Sequence, residues 1–152
     1  MAETQPGLEI ALVPAHHVHI MWPQVAALLE EAMARAPGRF SGGDLAMLLL
    51  EGRQQLWVVR DGETPVAAFT TRIYEVPQSR VFAIEWVGGV RLEEWIDEAI
   101  QILEQFARDS GCQKIEGHGR KGWEKILSRH GWHWLAVSFE KDLDIHGKGF
   151  SP

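Results

Sequence analysis

The residues that could do chemistry fall into four short groups. His16, His17 and His19 bring three imidazoles into one turn, and imidazole is a common metal ligand. No Cys or carboxylate stands at a metal-site spacing from them, so no metal is expected and they read as a pre-helix turn. Cys112 is the sole cysteine. It could act as a nucleophile with His118 or His130, but its place between a helix stop and a strand reads as a small buried filler. His118-Gly119-Arg120-Lys121-Gly122 sets two cations and two glycines before a helix. It could hold a phosphate or a partner's carboxylate, and it is also an ordinary strand-to-helix turn. Gly88-Gly89-Val90-Arg91 precedes a long helix whose first two turns carry Glu93, Glu94, Asp97 and Glu98. Acidic groups are favoured there by the positive end of the helix dipole.

These groups need elements to position them. Trp95, Ile96, Ala99, Ile102, Leu103 and Phe106 recur at three- and four-residue steps, which is one buried helix face. Gly111 is its C-cap. Gln113 to Glu116 has room only for a strand. Lys121 to Arg129 is a second helix with Trp123, Ile126 and Leu127 inward, stopped by Gly131. Upstream, Leu8 to Val13 reads as an edge strand broken by Pro14. A helix then runs to about Arg35, with Val25, Leu28, Leu29, Ala32 and Met33 inward and Pro23 in a first turn. Ser41 to Arg53 is a short helix capped by Ser41 or Asp44. Gln55–Arg60 and Pro65–Tyr74 flank an Asp61-Gly62 hairpin signal. Val81 to Val87 is a central strand. Trp132 to Leu143 is a last strand, with Trp132 and Trp134 on one face. The expected order is strand, two helices, three strands, helix, strand, helix, strand. This gives a single domain over 1–152 with loose tails at 1–7 and 144–152.

Composition narrows the partners. Lys plus Arg number 15 against 21 Asp plus Glu, a net charge of −6. That balance gives no support for broad binding to nucleic acid or to an anionic membrane. One cysteine excludes a disulfide framework and a Cys-based zinc site. MAETQPGLEI has no basic and apolar leader pattern, and no apolar run approaches the roughly 20 residues of a membrane span, so the expected setting is cytoplasmic. Seven tryptophans are many for 152 residues. Trp57, Trp86, Trp95 and Trp123 read as core, and Trp22, Trp132 and Trp134 less so.

The order of elements, the hairpin at Gln55 to Tyr74 and the ending GWEKILSRHGWHW together resemble the GNAT (Gcn5-related N-acetyltransferase) fold over residues 8 to 143. This implies an α+β domain with a central mixed, mostly antiparallel sheet flanked by about four helices. The patterns GC, GRKGW and HGW, with QLWVVRDGETPVAA, resemble a GNAT-like group encoded by bacteriophages and prophages.

The resemblance implies a pyrophosphate cradle for acetyl-CoA between the central strand and the long helix, with the motif Arg/Gln-x-x-Gly-x-Gly/Ala. Matched to Arg91, the motif's glycine positions hold Glu94 and Ile96, and Gly88 and Gly89 come before the Arg. If acetyl-CoA binds, the resemblance places it on Gly88, Gly89, Val90 and Arg91. It also makes Glu85 the candidate base. The family's acidic tyrosine has no counterpart near residues 120 to 135, since the sole tyrosine is Tyr74; His118 or His130 would have to substitute.

Two functions follow. One is a non-catalytic structural, assembly or binding protein on an acyltransferase scaffold, with no cofactor. Its partners would be other phage or host proteins or its own copies, in the host cytoplasm or in the virion. The alternative is an active acyl-CoA-dependent N-acetyltransferase using Glu85. The departures from the motif favour the first.

Overall fold

The computed structural model describes residues 7–119 and 122–143. Apart from Gly7, the expected tails lie outside the described residues, as do Arg120 and Lys121. The chain divides into two compact units, Met1–His118 and Gly119–Pro152.

In the first unit β1 (Leu8–Val13) leads through a 3-10 turn at Ala15–His17 into α1 (Val18–Met33) and α2 (Gly42–Leu50). Then come β2 (Gln55–Asp61), β3 (Thr64–Val76), β4 (Ser79–Gly89), α3 (Leu92–Asp109) and β5 (Lys114–Gly117). The five strands form one sheet in chain order. β1 to β4 are antiparallel neighbours, and β5 lies parallel to β4. A parallel pair needs a crossover, and α3 supplies it.

Strand alternation sorts the core into two layers. Leu56, Val58 and Ala68 face α1 and α2, where they meet Val13, Val18, Val25, Leu29, Met33, Leu45 and Leu49. Trp57 and Phe69 point the other way, toward α3. There Phe69 stacks on Trp95 with ring centroids 5.7 Å apart. Phe106 meets Trp57 edge-on at 5.2 Å and Phe82 at 5.5 Å. α3 buries Trp95, Ile96, Ala99, Ile100, Leu103 and Ala107, each large side chain contributing about 1.5–3 kcal/mol. Ile102 and Phe106, expected inward, are half-buried.

The helix ends follow from local chemistry. Ser41 and Asp44 are both caps of α2: Asp44 N–H donates to Ser41 Oγ and Ser41 N–H to Asp44 Oδ2, a reciprocal box. α2 stops at Leu50 rather than Arg53, and Gly52 turns the chain at φ +73°. At the end of α3, Gly111 has φ +80°. Cys112 N–H reaches Ala107 O and Gly111 N–H reaches Arg108 O, a Schellman closure. Cys112 is half-buried there, not the fully buried filler expected. Pro23 is inside α1 and not in its first turn, because the 3-10 turn starts the helix early at Val18.

The second unit holds α4 (Trp123–Ser128), with Trp123, Ile126 and Leu127 half-buried and Gly131 (φ +85°) just beyond its end. Trp132 to Leu143, expected as the last strand, has no strand structure. Leu135, Val137, Phe139 and Leu143 keep the alternating pattern yet are exposed. Alternation favours a strand, but hydrogen bonds from a neighbouring strand are what make one. Trp134 Nε1 instead bonds the Glu124 carboxylate of α4. No helix among the described residues is long and apolar enough to cross a membrane.

Candidate functional site

Glu85 is the extra residue of a bulge in β4. Thr70 pairs with Trp86 and Thr71 with Ile84, so nothing on β3 opposes it. The apolar pattern requires this. Phe82 meets Phe106 on the α3 side. Ile84 and Val87 pair with Thr71 and Phe69, which share that side. Trp86 packs on the α1–α2 core and Gly88 lies under α1. Side chains 84 and 87 can share a face only if one residue between them is bulged.

The bulge carries a polar cluster. Arg72 Nε donates to Glu85 Oε2 at 2.8 Å. The Glu85 side chain is 16% exposed and that of Arg72 37%. The Arg72 guanidinium carbon lies 4.4 Å from the centre of the Tyr74 ring, a cation–π contact. Tyr74 O–H donates to Glu116 Oε2 at 2.7 Å. That bond, helped by burial, raises the hydroxyl's pKa above its usual range. The cluster thus joins β3, β4 and β5 where the sheet opens. β4–β5 pairing runs from Val81–Lys114 to Ile84–Gly117, and β4 continues to Gly89. A carboxylate and a phenol near an opened strand edge can move protons.

In the Gly88–Arg91 segment Gly88 is buried, Gly89 and Val90 are exposed, and the Arg91 charge is neutralised. A Cβ on Gly88 would collide with the Leu28 backbone carbonyl of α1. One on Gly89, where φ is +124°, would collide with Ala67 of β3. Val90 N–H donates to Val66 O at 2.9 Å, and Val90 O accepts from Trp95 Nε1 at 3.0 Å. Arg91 stands just before α3 at φ +61°, the only non-glycine residue at positive φ among those described. Its Nε and Nη2 reach both oxygens of Glu94 at 3.0 and 2.8 Å, and Nη1 reaches Asp61 Oδ2 at 2.8 Å. The Glu94 bonds, then the Asp61 bond, push the guanidinium further above its usual pKa, and Arg91 in turn lowers that of Glu94.

The sequence thus named Glu85 and Gly88 to Arg91, which the structure puts at the bulge and at the end of the same strand. It missed Arg72 as the partner of Glu85, and the Tyr74–Glu116 bond that Arg72 adjoins. Arg72 and Tyr74 are two apart on one strand, which hinted at a shared face; the Glu116 contact depends on β5 pairing. His16 and His17 rings lie 4.2 Å apart. No group of three metal-ligating side chains converges among the described residues.

No family model matches the sequence, and no curated protein does. Solved structures do. The aminoglycoside acetyltransferase meta-AAC0020 from an uncultured soil metagenomic sample, in complex with sisomicin, matches with a TM-score of 0.67 at 16% identity, over 91% of this chain and 97% of that one. A GCN5-related N-acetyltransferase from Ralstonia eutropha JMP134 matches with a TM-score of 0.63 at 20% identity, over 93% and 100%. The aminoglycoside N-acetyltransferase AAC(6')-Iy in complex with CoA matches with a TM-score of 0.63 at 13% identity, over 93% and 98%. At these identities the likeness is one of fold: the chain has the GNAT acetyltransferase architecture, with a five-stranded sheet and four helices described.

Proposed function

We propose that this chain uses the acetyltransferase scaffold to bind a partner and not to transfer an acyl group from acetyl-CoA. The observation that carries this is the state of Arg91. A cradle needs free cationic and amide donors for a pyrophosphate. Here the one cation of the segment already holds Glu94 and Asp61, and Glu93 adds a further carboxylate to the first turn of α3. The glycines are explained by close packing against Leu28 and Ala67. The residues present do not fit acetyl-CoA, and CoA binding by a structural neighbour belongs to that neighbour. The setting we propose follows from the phage-like patterns GRKGW and HGW: an assembly or virion protein of a phage or prophage, contacting other phage or host proteins or its own copies in the host cytoplasm.

Thermal unfolding with and without acetyl-CoA tests this. A ligand at 100 times its Kd stabilises a fold by about 2.7 kcal/mol, which at this size raises the midpoint by about 5–10 °C. No shift is expected at millimolar acetyl-CoA, and a saturable shift of that size would sink the proposal.

One observation favours N-acyl transfer as a second reading: Glu85 is bulged out of the ladder at the opened end of β4, beside Tyr74. In that reading Glu85 takes the proton of an amine. Glu85→Gln should then lower turnover roughly 10²–10⁴-fold, and an unchanged rate would exclude it as the base.

A further inference from the structure

Leu135, Val137, Phe139 and Leu143 alternate along the stretch after α4, with Lys141 the one polar residue among them. They are 80, 64, 92 and 75% exposed. Ser138, Glu140 and Asp142 take the intervening positions. This is the pattern of a strand with one face meant for burial. A chain that stays alone rarely leaves so dense a run of large apolar side chains in water.

The sheet has a matching edge. β5 is its last strand, and β4 is the neighbour that pairs with it. Ile115 stands beside Phe82 in the β4–β5 register, so it belongs to the layer under α3 where Phe82 meets Phe106. That layer is unfinished at this edge, since Ile115 and Phe106 are only half-buried. One more strand beside β5, with its apolar face toward α3, would complete it.

We propose that residues 135–143 of one copy add to β5 of a second copy as a sixth strand, and that the exchange is reciprocal and gives a two-fold dimer. An antiparallel register with Phe139 opposite Ile115 continues the row Phe82, Ile115, Phe139 under α3. The same register sets Val137 opposite Gly117 and Glu140 opposite Lys114, an opposite-charge pair across the strands. The four apolar side chains at each of two junctions bring about 60–120 Å² apiece. With the paired backbone this is on the order of 1,000 Å², the size from which an interface is stable. A second copy is the occupant because every chain brings both halves of the junction, the sheet edge and the strand-forming segment. The surface makes no use of Arg91 or Glu85, so the dimer stands whether or not acetyl-CoA binds.

Sedimentation equilibrium of the whole chain tests this. The mass should reach twice the 17.1 kDa of one chain, with a Kd on the order of micromolar. Phe139→Asp should weaken the dimer at least 100-fold, and Phe139→Leu should keep it. Phe139 is 92% exposed, so the aspartate leaves the fold of the single chain intact. Lys114→Cys with Glu140→Cys, in a Cys112→Ser background, should oxidise to a covalent dimer on a non-reducing gel. A monomer at all concentrations, a dimer that Phe139→Asp leaves unchanged, or a cysteine pair that closes within one chain or not at all would each overturn the proposal. Should a variant not fold, the wild-type mass alone decides.

Discussion

Arg91 grips Glu94, three residues further on, through two parallel N–H···O bonds of 3.0 and 2.8 Å. This fork ties the left-handed residue before α3 to the helix's own first turn. It also sets an acid-sensitive contact. The bonds from Arg91 lower the Glu94 pKa, and the backbone N–H of Ser41, with its hydroxyl, does the same for Asp44. With a depressed folded pKa, the unfolded chain takes up protons first as pH falls. The stability from these two groups is therefore whole above the ordinary carboxylate range, about pH 4, and is lost as pH drops through the lower folded values. Urea midpoints should fall across that window, and the fall should be shallower in Glu94→Gln. An equally steep limb in that variant would remove Glu94 from the account.

Gly88→Ala should destabilise the chain by roughly 4 kcal/mol or more, since the new methyl meets the α1 backbone at Leu28, which has no rotamer to change. Denaturant unfolding without any ligand measures this. A mild effect would mean that Gly88 is there for a visiting group and not for packing.

Neighbouring threonines should respond with opposite signs. Thr71→Val leaves the buried indole of Trp57 unpaired and should cost about 1–3 kcal/mol. Thr70→Val removes a hydroxyl that bonds nothing and should be neutral or stabilising by up to about 1 kcal/mol. Equal losses in chemical unfolding would show that Thr70 is satisfied internally.

Arg72→Met should cost about 1–2 kcal/mol, because it strands the mostly buried Glu85 carboxylate and strips the Tyr74 ring of its cation. Adding Glu85→Gln should recover part of the loss. A double-mutant cycle with no coupling would mean the pair is incidental to the bulge.

The sequence alone determined the local elements. Three- and four-residue periodicity marked α3 and its buried Trp95, Ile96, Ala99 and Leu103, and capping residues marked α2 because their bonds span three positions. Asp61-Gly62 marked the β2–β3 turn, and the order of these pieces pointed to the acetyltransferase fold. The tertiary structure decided what depends on strands meeting. The bulge at Glu85 arises because two faces of β4 must satisfy two different cores at once, and no single strand records that demand. The Arg72–Glu85 pair, the Tyr74–Glu116 bond and the Arg91–Asp61 contact join residues 13 to 42 positions apart. Trp132 to Leu143 shows the same limit from the other side. Its alternation is written in the sequence, but a strand is a shared property of two segments, and the described residues 132–143 have no strand structure.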